Sequence, residues 1–190
     1  MLMDINLQFS NAQAITSTAP STGVLDLATG LMLTGSTYVT NPSINYGPNA
    51  TYFGEDLGIG DSQGQPTIVG SALSAFTSGG GSATLQVALQ GAPDNGGGTI
   101  SGLTFTTFME TGAIPQASLQ TSVSPFQSNR MFAFALPRRQ TGIALPRFLR
   151  LDYIVASGPF TGGTLDADVT LQTDSGWQIG QYPSGYHVSA

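Results

Sequence analysis

Asp166 and Asp168 stand two residues apart in the run GTLDADVTLQ, and side chains at that spacing on one strand lie roughly 7 Å apart on the same face. Paired carboxylates of this kind equip a glycosidase for acid and base work, or supply oxygen ligands to calcium. No further acids cluster nearby in sequence, so a solvated strand face is the reading we adopt for the pair. Glu55, Asp56 and Asp61 offer a second acidic group, but without the regular spacing of a calcium loop they read as solvated loop acids. The single histidine, His187, lies three residues from the chain end, where a histidine base would rest on the least constrained part of a domain. There is no cysteine, which removes thiolate nucleophiles, thiolate zinc sites and disulfides. The sequence therefore predicts a protein that is not an enzyme, with no catalytic residue, no metal and no cofactor.

The remaining reactive groups suit contact with a partner. In LPRRQTGIALPRFLR, Arg138, Arg139 and Arg147 surround a loop flanked by Pro137 and Pro146. Their planar forks could meet carboxylates on another protein in bidentate fashion. Arg150 is expected to pair within the chain, with Asp152 two residues along or with Asp166 and Asp168 opposite. Phe160, at the tip of GPFTGG, must either fold under or be held against a partner, and is taken as a contact residue. Trp177, Tyr182 and Tyr186 lie in DSGWQIGQYPSGYHVSA, a segment too irregular to pack alone. They are read as anchors for a neighbouring subunit, ahead of a strap over the chain's own core or a sugar-binding platform.

Composition narrows the class. Only 8% of the 190 residues are charged while 40% are hydrophobic, so the surface must be built largely from Ser, Thr, Asn, Gln and Gly. Such a surface repels its own copies weakly and suits a protein that works packed against others. Residues 1–129 hold seven acidic side chains and no basic one, whereas all five arginines fall within 130–150 and no lysine occurs. A net charge of −6 argues against nucleic acid as a partner. The opening MLMDINLQFS lacks a signal-peptide pattern, and no apolar run is long enough to span a bilayer, so a cytoplasmic start and no membrane partner are expected.

The elements that must position these groups read as strands. Period-2 alternation marks Ile5 to Phe9, Ala14 to Thr18, Val24 to Leu27, Leu31 to Thr40, Thr67 to Leu73, Thr84 to Gln90, Gly102 to Glu110, Met131 to Leu136, Phe148 to Val155 and Leu165 to Gln172. SGGGS at 78–82 and DNGGG at 94–98 are turns. Residues 147–173 read as two paired strands closed by a glycine-rich loop, with Leu149, Leu151, Tyr153 and Val155 facing the core from the first and Leu165, Ala167, Val169 and Leu171 from the second. The fold class is all-β, an antiparallel two-sheet sandwich of jelly-roll type. Residues 1–173 form one domain carrying a long inserted loop at 41–66, which holds Tyr46, Tyr52 and Phe53, and residues 174–190 form a C-terminal arm.

RFLRLDYIVASGPFTGGTLDADVTLQT at 147–173 resembles the closing segment of the capsid cement, or decoration, proteins of short-tailed bacteriophages. FSNAQAITSTAPSTGVLDL at 9–27 resembles that family's opening, GSATLQVALQ at 81–90 a central strand, and MFAFALP at 131–137 the strand before its arginine-containing crossover. The resemblance implies a jelly roll that decorates the outer surface of an icosahedral capsid, bound across major capsid protein subunits. It also implies self-association, with a dimer expected before a trimer. The alternative is a carbohydrate-binding jelly roll of a phage receptor-binding protein or adhesin.

Overall fold

The structure, a computed structural model, describes residues 8–27, 31–34, 37–38, 67–94, 100–120, 130–135 and 146–170. Its strands are β1 (Gln8–Ala14), β2 (Ala19–Pro20), β3 (Gly23–Asp26), β4 (Leu31–Thr34), β5 (Thr37–Tyr38), β6 (Thr67–Ser78), β7 (Thr84–Ala92), β8 (Thr106–Glu110), β9 (Ile114–Pro115), β10 (Arg130–Ala135), β11 (Phe148–Ala156) and β12 (Phe160–Thr170). They form two antiparallel sheets. The smaller has the order β1-β12-β6-β10; the larger runs β5-β4-β3-β11-β7-β8, with β2 beside β11 and β9 beside β7.

The chain passes back and forth between the sheets, as a jelly roll requires. β6 lies in the small sheet and β7 in the large one, joined through the turn at Gly79–Gly81, and β11 and β12 are divided in the same way. This last division corrects the expectation for residues 147–173. β11 and β12 do not pair with each other; β11 pairs with β7, β3 and β2, while β12 pairs with β6 and β1. Among the described residues both inward faces, Leu149, Leu151, Tyr153 and Val155 on one strand and Leu165, Ala167 and Val169 on the other, are as expected, but they meet across the core instead of lying side by side. Ser157 at φ 61° and Gly158 at φ 111° turn the chain out of one sheet and into the other. β12 then begins at Phe160, so Gly162 and Gly163 belong to the strand and not to the loop.

The core is the space between the sheets. Leu149, Leu151 and Tyr153 of β11 and Leu85, Val87 and Leu89 of β7 face Leu165, Ala167 and Val169 of β12 and Ile68, Ala72 and Phe76 of β6. Two glycines are required by what lies against them. A Cβ at Gly70 would fall 2.0 Å from a ring carbon of Phe132, and one at Gly163, whose φ is 130°, would fall 2.5 Å from Phe76. A second, smaller cluster sits on the opposite face of the large sheet, where Ile100, Leu103 and Phe105 cover Val24, Leu33 and Phe148. The strand expected over 102–110 therefore begins only at Thr106, because residues 100–105 cross the sheet as a cover. Of the segment expected as a strand over 14–18, Ala14 ends β1 and residues 16–18 form a bend, and pairing resumes at β2. The 41–66 loop and the 174–190 arm lie outside the described residues, as does Leu171.

Candidate partner-binding surface

Arg147 enters the structure just before β11, held by a backbone hydrogen bond from its N–H to Ala92. Its guanidinium forks onto Asp26 at the end of β3, with Nε and Nη2 each 3.1 Å from a separate carboxylate oxygen, and Nη1 reaches Asp94 at 2.7 Å. The hydrogen bonds that it donates to Asp26, first, and then to Asp94 hold the guanidinium above its ordinary pKa. Asp26 is fully buried. Arg147, expected to meet a partner, is thus spent on tying β3 and the end of β7 to β11, and its fork matches a carboxylate of its own chain.

Arg150 acts within the chain, as expected, but through other partners. Its Nε donates to Gln90 Oε1 at 2.8 Å and its guanidinium lies 4.0 Å from the ring centroid of Phe105. Burial lowers its pKa, with the charge of Asp152 acting in the opposite direction. Asp166 and Asp168 cannot reach it, because they sit on the outward side of β12 in the other sheet. Arg150 instead pins the 100–105 cover onto the large sheet.

Phe160 also turns inward. Its ring is 2% exposed and stands edge-to-face on Phe76, with centroids 5.1 Å apart; the Phe76 ring in turn lies against Gly163. Its N–H donates to the carbonyl of Thr16. Of the two fates open to an aromatic side chain in that loop, folding under prevails, since the strand starts at Phe160 itself and its first inward position is a core position. Arg138, Arg139, Trp177, Tyr182 and Tyr186 lie outside the described residues.

The outward face of β12 departs from the expected solvated strand. Asp166 is half-buried, and its Oδ1 accepts the backbone N–H of Ala12 at 2.6 Å. Asp168 is only 6% exposed, accepts a side-chain hydrogen bond from Gln8, and has an Oδ1 with no hydrogen-bond partner. Burial first, and then the neighbouring Asp166, push its carboxyl up to about 7, against the opposing effect of Gln8. Inside the sandwich, Tyr153 and Ser10, both fully buried, share a 2.7 Å hydrogen bond between the sheets, and Ser10 Oγ donates in turn to Gln13. Burial raises the Tyr153 pKa, so its hydroxyl stays protonated and serves the fold.

The surface that the structure does leave open is apolar and edge-like. All five residues of β8 are exposed, and among the described residues β8 ends the large sheet, so one row of its backbone groups faces outward. Phe108 is 45% and Met109 36% exposed, while Leu73, on the outward side of β6, is 50% exposed. The sequence held a signal for the first two, because adjacent Phe and Met on a strand cannot both face one core. Leu73 carried none, since its alternation with Val69 and Ser71 does not say which side is inward. Among the described residues no three of His, Cys, Asp and Glu come together.

Residues 9–169 match the Bbp16 family, a span that runs from β1 to the penultimate residue of β12 and so takes in both sheets. No curated protein matches the chain.

Proposed function

The chain belongs to the Bbp16 family, a name that links it to bacteriophages, and from that premise we propose that it is a structural, non-enzymatic virion protein that decorates and stabilises an icosahedral capsid by binding across major capsid protein subunits. The observation that carries the reading is the use the fold makes of its polar groups. Arg147 and Arg150 are committed to Asp26, Asp94, Gln90 and Phe105, and the buried hydroxyls of Ser10 and Tyr153 bond each other, while apolar Leu73, Phe108 and Met109 stand in solvent. Polar chemistry is turned to cohesion and apolar area to contact.

Binding to the assembled shell in preference to free subunits would stabilise the assembled state by mass action. Arg138 and Arg139 supply cations for acidic side chains on the shell. Trp177, Tyr182 and Tyr186 supply anchors for a neighbouring subunit or a second copy of this chain, the kind of residue that dominates interface energies. Purified particles should carry this chain in a copy number fixed by the capsid lattice, and particles lacking it should lose integrity earlier on heating or osmotic shock. Equal survival with and without it would overturn the proposal. Deleting residues 174–190 should leave a cooperatively melting sandwich with weakened occupancy, and full occupancy by the truncated chain would remove the anchors from the reading.

A further inference from the structure

Among the described residues β8 is paired along one side only, with β7, and Phe108 is the extra residue where that ladder slips between Leu89 and Gln90. Gly91, lacking a side chain, receives the ring. A Cβ there would fall 2.2 Å from a carbon of Phe108 and 2.7 Å from Pro146. Phe108 is thus seated on one side and open on the other, with Met109 exposed beside it. Sheet edges are ordinarily blunted by lysine, proline or several charges. β8, written TTFME, has neither lysine nor proline and one charge, at Glu110. A free row of backbone donors and acceptors beside an open aromatic ring suits an extended, uncharged segment that carries an aromatic side chain, which adds a strand and lays its ring on Phe108.

We propose that the β8 edge of one copy receives the C-terminal arm of a second copy, with Trp177 and Ile179 laid against Phe108 and Met109. The proposal rests on reading the arm as an anchor between subunits, and it names the site that takes the anchor. Three features of the chain fit it. β12 ends at Thr170, opposite Thr67, with residues 171–190 beyond it. At ~3.3–3.6 Å per residue the steps from Thr170 to Trp177 reach up to about 25 Å, well beyond the ~10 Å between packed sheets, so the ring can leave its own sandwich. In the run WQIGQYP, Trp177 and Ile179 fall on one face of an extended segment and Gln178 on the other, while Pro183, lacking an N–H, closes the stretch that can pair. No charged side chain occurs between Asp174 and His187, so the segment meets Glu110 without repulsion. Exchanged reciprocally about a two-fold axis, two arms cover two edges and leave neither open.

The chain has no cysteine, so introduced thiols report only on themselves. Full-length Glu110→Cys and Gln178→Cys proteins, mixed and treated with a short bismaleimide, should give cross-linked dimers that neither variant gives alone. Dimers from Glu110→Cys alone, which would mean that two β8 edges pair, would overturn the proposal, as would dimers from Gln178→Cys alone. So would closure within one chain in the double variant without mixed dimers, since the arm would then strap its own sheet, and so would no cross-link at all. Replacing both Phe108 and Met109 with Ser should weaken self-association by roughly 30-fold or more in sedimentation, the effect of losing one interface anchor. Should that variant fail to fold, Trp177→Ser, which alters no described core position, should show the same loss, and unchanged self-association in Trp177→Ser would overturn the site. Capsid occupancy by the chain lacking residues 174–190 tests the anchor reading separately: weakened occupancy with no mixed cross-link overturns the β8 site and leaves the anchor reading in place.

Discussion

Gly70→Ala is the substitution whose effect the structure fixes most closely. Gly70 lies within β6 with Ala167 of β12 on one side and Phe132 of β10 on the other, and the Phe132 ring lies across Gly70. A Cβ at position 70 would sit 2.0, 2.2 and 2.7 Å from three carbons of that ring, where carbon atoms normally rest at about 3.5–4 Å. The ring must therefore move by roughly 1.5 Å, and being only 6% exposed it has packed neighbours in the way. Overpacking of this kind costs about 1–3 kcal/mol, from which the reduced freedom of the unfolded chain returns about 0.4–1 kcal/mol. We expect a net loss of about 1–2 kcal/mol, read as a fall in melting temperature of about 2–8 °C in a chain of this size. Denaturant titration of wild type, Gly70→Ala, Phe132→Leu and the double variant should show Gly70→Ala costing at least about 1 kcal/mol less when Phe132 is already shortened, since the two positions share one space. A neutral Gly70→Ala, or the same cost in both backgrounds, would refute the packing argument.

The other expectations concern polar groups. Arg147→Ala should destabilise the fold by about 2–4 kcal/mol, because it takes the fork from fully buried Asp26, whereas Asp94→Ala, at the more exposed arm, should cost under about 1 kcal/mol by thermal melting. Replacing both Arg138 and Arg139 with Ala should weaken capsid binding and flatten its salt dependence, while Arg147→Ala should leave the salt dependence unchanged in a sedimentation assay. Ser10→Ala should cost about 1–3 kcal/mol by leaving the Tyr153 hydroxyl buried and unbonded, and Tyr153→Phe less, since Ser10 keeps Gln13 as an acceptor. Asp168→Asn should stabilise the protein at pH 7 and above by up to ~4 kcal/mol and lose that advantage as pH falls towards 4, because burial raises the carboxyl from its ordinary range to about 7; equal melting temperatures of the two proteins at pH 8 would count against it.

The sequence by itself determined the class of fold and the facing of most strands. Alternation in RFLRLDYIVA and GTLDADVT says which side chains go inward, because strand side chains alternate whatever the strand pairs with, and Leu151, Tyr153, Leu165 and Ala167 are all fully buried. The charge segregation and the absence of cysteine were equally plain. Only the tertiary structure decided the partners. Two alternating strands around a short glycine turn look alike whether they pair or face each other across a core, and the positive φ of Ser157 and Gly158 takes β11 and β12 into different sheets. That division places Asp166 and Asp168 on the far side of the sandwich from Arg150, leaves Gln90 and Phe105 to receive the guanidinium, and brings Asp26, more than a hundred residues away, to Arg147. It also puts Phe160 into the core against Phe76. Periodicity is a property of one strand, whereas burial of Asp168 and exposure of Phe108 depend on what the remainder of the chain lays over each face, which no local pattern encodes.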